Sequence, residues 1–405
     1  MRKLILLASA ASCVIAMPNL ASAQDKNETT GLEEIVVTAT KRSANLQSVP
    51  VAVTALTGET IQNQRINEFG DLTRAAASLT LTQSTASPNN AIILRGIGTY
   101  AFSIGVEPSV AVIIDDVPVV QQAQAFDNLS DVERIEVLRG PQGTLFGKNA
   151  SAGAINIVTQ EPSVVFGGHA SATVTSDDGY KADGAISGPI SDKTGFRLGA
   201  YYNHWDGNVD NLTNGHKLND NTSYGVRGKL RSELTDKLVL SLNGSYAKSK
   251  SDGTAATLRF VDLNYLPAGA TTPVIPKYNG VSIMPALAGI TPGAANRKTR
   301  VDNDGFTENK QASFSGKLTY DLGFASLISV TSYQDWKYNF SADVDGTDLA
   351  VNGTAPNVTS PIAPGLGVSN SGPYHSTSFT QEVRLTSKGE GPLSYVVGAF
   401  YADAK

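Results

Sequence analysis

Beyond Pro162 the chain is written in a two-residue rhythm. Ala312, Phe314, Gly316, Leu318 and Tyr320 alternate with Gln311, Ser313, Ser315, Lys317 and Thr319. Tyr224, Val226 and Leu230 alternate with Arg227, Lys229 and Arg231, and Leu238, Leu240, Leu242 and Tyr246 with Ser241, Asn243 and Ser245. Phe379, Val383 and Leu385 oppose Thr380, Glu382 and Arg384. A period of two is the signature of strands with one apolar and one polar face. The connections alternate as well. Tight turns at Gly188–Thr194, Leu234–Lys237, Asp321–Phe324 and Ser387–Pro392 are interleaved with long loops at Gly207–Asn221, Ser251–Asn309 and Ser341–Pro373. That asymmetry separates a transmembrane barrel, with short turns on one side and long loops on the other, from a soluble sandwich. About nine strands are expected, each able to supply the roughly 9–11 residues that a tilted membrane strand needs.

Between Val49 and Thr159 helix and strand patterns mix. Val51–Thr54 reads as a short strand, and Gly58–Phe69 carries helical spacing through Ile61, Ile66 and Phe69, with a second helix opening at Asp71. Ile92–Leu94 is a buried strand running into Arg95 and a glycine turn, and Val110–Val119 is an apolar run around Asp115 and Asp116. Two β-prone runs then bracket the glycines Gly140, Gly143, Gly147 and Gly153, which permit backbone conformations that a Cβ would forbid. The stretch falls short of a phosphate-binding loop. Gln142 stands where the first glycine belongs and Asn149 where a serine or threonine would hold magnesium.

The amino terminus reads as an export signal over residues 1–23: Arg2 and Lys3, an apolar core from Leu4 to Met17, and Ala21-Ser22-Ala23 before cleavage. The single cysteine, Cys13, lies within it, so the exported chain carries no thiol for redox chemistry or metal ligation. A net charge of −5 with both signs dispersed gives no basic stripe for nucleic acid. His169, His204, His216 and His375 lack ligand spacing, so no protein-made metal site and no cofactor are expected. Asp115 and Asp116, as neighbours in a strand, would point to opposite faces, which does not suit the paired acids of a glycosidase, and a turn or strand-end role is expected for them. Nothing in the chain reads as an enzyme.

Several motifs occur in order: Asn45–Pro50 followed by Val51, Arg95-Gly96-Ile97-Gly98, Ile114-Asp115-Asp116-Val117-Pro118, and Ile135-Glu136-Val137-Leu138-Arg139-Gly140-Pro141. In that order and spacing the chain resembles the TonB-dependent outer-membrane receptors. The resemblance implies a mainly β fold in which a small α+β plug precedes an antiparallel transmembrane β-barrel, here incomplete at about nine of about 22 strands. The expected division is a signal peptide (1–23), a periplasmic extension with the TonB box (24–48), the plug (49–162) and a partial barrel (163–405). An odd strand number leaves open edges, so the sequence is expected to be a fragment.

The resemblance also implies roles for particular residues. Glu34, Ile35, Val36, Val37, Thr38 and Ala39 are similar to the TonB box, a strand offered to an edge of the partner TonB, whose energy comes from an inner-membrane complex. The alternative is an ordinary first strand of the plug. Arg95 and Arg139 match two arginines assigned to a charged cluster with barrel glutamates, and alternation sends Glu382 to the lumen side as their partner. The alternative there is structural bonding to plug carbonyls. The loop at Thr99, Tyr100 and Phe102 is the expected ligand contact. Together these imply TonB-dependent uptake of a scarce nutrient, a ferric siderophore or other iron complex, across a Gram-negative outer membrane, with membrane lipid and a small-molecule or metal-chelate ligand as partners. A carbohydrate, cobalamin or aromatic cargo is the alternative within that class. A non-energised outer-membrane or secreted β-sheet binding protein is the alternative outside it.

Overall fold

The computed structural model of the chain describes residues 35–38, 40–66, 68–82, 90–99, 106–126, 129–176, 178–253, 257–261, 277–278, 281–282, 284–343, 346–348, 369–388 and 393–405. The expected signal segment, the Glu34 and Ala39 ends of the coupling strand, and Tyr100 and Phe102 lie outside the described residues.

The first part of the chain is α+β. Its elements are β1 (Val36–Val37), β2 (Ala44–Asn45), β3 (Val53–Thr57), α1 (Gly58–Asn63), α2 (Leu72–Ala75), β4 (Leu79–Thr82), β5 (Ala91–Leu94) and β6 (Ile97–Gly98). Then come β7 (Val110–Ile114), β8 (Val117–Pro118), β9 (Val132–Arg139), α3 (Gly143–Phe146) and β10 (Gly153–Thr159). The central sheet runs β3-β9-β10-β7-β8, with β7 and β10 parallel. Alternation along β9 and β10 sends Ile135, Val137, Ile155 and Ile157 to one face, where Ile61, Phe69, Leu72, Ile92 and Leu94 close the main core. Leu138 and Ala154 point to the other face and meet Val37, Ala111, Ile113 and Ala150. The amino-terminal segment is therefore the cover of the second face.

Sequence spacing overran the first helix. It ends at Asn63 because Arg65 turns left-handed (φ 51°), and the Ile66 N–H then bonds back to the Ile61 carbonyl at 2.9 Å. That is a Schellman stop, with Ile66 packed beside Ile61, made without the glycine that usually announces it. The strand expected at Val51–Thr54 starts at Val53 and runs to Thr57.

The second part is one nine-stranded antiparallel sheet of β11 (Gly167–Val174), β12 (Tyr180–Ser191), β13 (Thr194–Trp205), β16 (Asn221–Thr235), β17 (Leu238–Asp252), β21 (Phe306–Asp321), β22 (Ala325–Asp343), β23 (Ser369–Ser387) and β24 (Val396–Ala404), paired in chain order. The connections carry the short strands β14 (Val209–Asn211), β15 (Lys217–Leu218), β18 (Lys277–Tyr278), β19 (Val281–Ser282) and β20 (Lys298–Thr299). One face presents Leu198, Val226, Phe314, Tyr333, Val383 and Val397 outward, all exposed. The other meets the plug: the Gln334 side-chain amide donates to the Pro118 carbonyl at 2.9 Å. No helix among the described residues is long and apolar enough to cross a membrane.

The strands outrun the expected bilayer length, reaching 19 residues in β22 and β23. Beyond Tyr333 the outward positions of β22 turn polar, at Asp335, Lys337 and Asn339, while hydrogen-bonded pairing continues. Apolar contrast fades there but backbone pairing does not, so the long loops are shorter than the sequence suggests.

A Cβ at Gly153 would stand 2.3 Å from the Leu138 carbonyl oxygen, whereas one at Gly147 (φ 78°) would meet open space. Gly153→Ala should speed proteolysis of the plug strongly. Gly147→Ala should cost only the strain of a backbone (φ 78°, ψ −146°) that side chains other than glycine rarely adopt, about 1–3 kcal/mol. Limited proteolysis of the two variants side by side measures the difference.

Candidate coupling segment and plug–wall charge network

The candidate coupling strand lies docked. Val37 is fully buried in the second plug core while Val36 remains half exposed, and the Ile35 carbonyl accepts the Leu46 N–H at 2.9 Å, continuing the β1–β2 pairing. Thr38 is tied to a carboxylate with no solvent exposure, Glu136, through its N–H at 2.8 Å and its hydroxyl at 3.1 Å. The Arg134 Nε at 2.9 Å and the Asn156 amide at 3.2 Å donate to the same carboxylate, so its buried charge is compensated. Even positions of β9 look toward this segment, which puts Glu136 under Thr38.

Three residues on, Lys41 sits at a left-handed corner (φ 60°) and reaches across to the wall. Its ammonium is 3.2 Å from Glu382 and 3.8 Å from Asp116, above the Phe146 ring at 5.1 Å. Asp116 also receives Lys317 at 2.7 Å and Arg384 at 3.0 Å, and Arg384 bonds Glu382 at 2.7 Å. Burial pushes the Asp116 carboxyl up, but Lys317, Arg384 and Lys41 together outweigh it and hold it well below the usual carboxylate range. Asp115 and Asp116 form the β7–β8 turn, with φ of 49° and 70°, as a two-residue hairpin turn of the primed type requires. The turn role expected from sequence is present, and both side chains also serve the interface.

A second contact group lies along the wall. Lys229, almost fully buried, is 3.3 Å from Asp115 and 3.0 Å from Glu161, and donates to the Thr159 carbonyl at 2.9 Å. The Arg197 Nε is 2.8 Å from Asp131, and Arg227 donates to the Ser130 carbonyl at 3.2 Å. Lys181 reaches Glu68 at 3.2 Å. The wall thus supplies cations and the plug supplies carboxylates. Among the described residues the one reversed pair is Lys41 of the coupling segment with Glu382 of the wall.

Glu382 faces the plug, as alternation requires, but the expected arginines are elsewhere. Arg95 is exposed at a left-handed corner (φ 52°) between β5 and β6. The Arg139 guanidinium bonds the Thr54 hydroxyl. Arg139 is an odd position of β9 and faces away from the segment that carries Lys41. The network members missed in the sequence, Lys41, Asp116, Lys317 and Arg384, had partial signals: the last two lie on the polar side of alternating strands. Thr99 hydrogen-bonds Ser109 through the two hydroxyls at 2.7 Å. The four histidines each lie against an aspartate, His169 with Asp183, His204 with Asp206, His216 with Asp304 and His375 with Asp335.

Residues 45–154 match the family model described as the TonB-dependent Receptor Plug Domain. Among curated relatives, the pesticin receptor of Yersinia pestis is 33% identical over 179 residues, 44% of this chain and 26% of that protein. The iron-regulated outer membrane virulence protein of Vibrio cholerae is 26% identical over 247 residues, 58% of this chain and 35% of that protein. Among solved structures, the ferric yersiniabactin uptake receptor of Yersinia pestis superposes with a TM-score of 0.69 at 21% identity, over 87% of this chain and 48% of that one. The pyoverdine receptor of Pseudomonas aeruginosa superposes at 0.66 and 16% identity, over 91% and 48%. The chain spans about half the length of these structures and about a quarter to a third of these curated relatives.

Asp116→Asn would leave three cations around a neutral amide, and removing one partner of a buried ion pair costs about 3–5 kcal/mol. The variant should lose that much plug protection, and adding Lys317→Gln should restore part of it, read as a double-mutant cycle of proteolytic protection. The acid dependence has a definite sign. A carboxyl depressed in the folded state stabilises fully above its unfolded pKa of about 3.9 and loses this as pH falls toward the folded value. Plug protection by Asp116 should therefore persist at pH 5.

Proposed function

The chain belongs to the TonB-dependent receptors, and from that premise we propose that it is the plug and leading barrel portion of an active transporter for a scarce iron complex, of the ferric siderophore class. The family consists of transporters rather than enzymes, and its place is the outer membrane of a Gram-negative cell. The observation that carries the transport reading is the docking of Ile35–Thr38. A strand that is to be handed to a partner is tied at Thr38 to Glu136 and, through Lys41, to Glu382. A pull on it acts on plug and wall together.

On this reading residues 1–23 are removed, 24–48 present the coupling strand Glu34–Ala39 to TonB in the periplasm, 49–162 close the lumen, and 163–405 begin the barrel in lipid. Cargo is met outside, at the plug loop that starts from Thr99, Tyr100 and Phe102. TonB adds to the strand by main-chain hydrogen bonding and draws energy from its inner-membrane complex. The plug–wall pairs set the resistance to be overcome: buried ion pairs contribute little net stability while intact and cost several kcal/mol when one partner leaves.

The test is uptake of a radiolabelled ferric siderophore by cells carrying the receptor, wild type against Val36→Pro. Val36 is half exposed, so proline there removes a strand donor without emptying the plug core. Uptake should fall to background with normal outer-membrane abundance. Uptake at the wild-type level would show that this strand does not couple transport.

A further inference from the structure

Six cations lie on the plug-facing side of the wall within its tight-turn half: Arg197, Arg227, Lys229, Arg231, Lys317 and Arg384. Arg197 and Lys229 are direct register partners across β13 and β16, and Gly199 and Arg227 follow in the same ladder. Like charges opposite each other on one face destabilise a sheet. Here plug groups offset the repulsion: Asp131 takes Arg197, Asp115 and Glu161 take Lys229, Asp116 takes Lys317 and Arg384, and the Ser130 carbonyl takes Arg227. Arg231 pairs instead with Glu233 of its own strand, at 3.3 Å. Against this half of the wall lies a cavity of about 630 Å³ between plug and barrel, bordered by Arg231, Lys317 and Arg384 on one side and by Lys41, Arg42 and Asp116 on the other. Thr38 and Ser43 border the same space.

Resting on the transport reading, we infer that these wall cations form an anion-selective track, masked by plug carboxylates at rest and uncovered when the plug moves, so that the favoured cargo is a chelate with net negative charge. The plug's departure removes the counterions of Arg197, Lys229 and Lys317 and leaves Arg384 with Glu382 of its own strand alone, and a partly desolvated cation without a partner is costly. A cargo bearing carboxylate or phenolate oxygens replaces the lost acceptors and lowers that cost. A neutral or cationic cargo does not. The cation-rich, partly enclosed path also focuses the field along the direction of travel.

Two measurements on the intact receptor test this, and neither needs TonB or iron. In planar bilayers with a potassium chloride gradient, and with urea added to loosen the plug, the open pore should show a reversal potential of the anion-selective sign, shifted toward zero by Arg231→Gln. A cation-selective or unselective pore, or an Arg231→Gln pore as selective as wild type, overturns the inference. Independently of any pore, trivalent citrate should speed proteolysis of the plug several-fold over sodium chloride of equal ionic strength, and by less in Arg231→Gln. Equal rates overturn it. If Val36→Pro leaves uptake intact while the pore is anion-selective, the energised-transport reading fails and the track stands as a property of a passive pore.

Discussion

The plug stays in place through charge pairing across a partly desolvated seam, with cations on the barrel wall and carboxylates on the plug. Asp116 is its centre, shared among Lys317, Arg384 and Lys41. An apolar seam of equal area would hold through close packing, and the penalty for opening it would accrue gradually with area. A seam of buried ion pairs behaves differently. It adds little net stability when satisfied, yet leaves uncompensated charge as soon as one side departs. Such a seam keeps its geometry until something replaces the departing partner.

The reversed pair between Lys41 and Glu382 gives the coupling segment a particular place in that seam. With Lys41 present, three cations face two carboxylates. Once it leaves, Lys317 and Arg384 face Asp116 and Glu382, two against two. Without Lys41 the contact between plug and wall is charge-balanced. Glu136 holds the segment on the plug side. Its carboxylate has no exposure and holds four donors, two of them from Thr38.

The wall itself needs little explanation beyond alternation and pairing. Its outer face is apolar, its inner face is polar and cationic where it meets the plug, and its strands lengthen past the apolar band because backbone pairing continues where side-chain contrast ends. The plug is a small α+β domain whose sheet is covered on one face by helices and on the other by the amino-terminal segment. Covering a sheet face with the amino-terminal segment couples plug stability to the position of that segment.

The sequence alone determined the two-part architecture, because periodicity is a local property: a period of two across the barrel strands and a mixed pattern before Pro162 can be read residue by residue. It determined a short strand within Glu34–Ala39, observed at Val36–Val37, and the orientation of Glu382, each from short-range geometry. It did not determine where α1 stops, since Arg65 adopts a conformation usually marked by glycine. Nor did it determine the ion-pair partners. Lys41 and Glu382 are separated by 341 positions, and Asp116 and Arg384 by 268, and no local pattern encodes which buried charge meets which. Only the tertiary structure decided that Arg95 is exposed at a corner, that Arg139 turns to the other face of the plug sheet, and that the seam is cationic on one side and anionic on the other. The physical reason is that alternation fixes the face a side chain occupies, whereas its partner depends on how two separately folded surfaces come together.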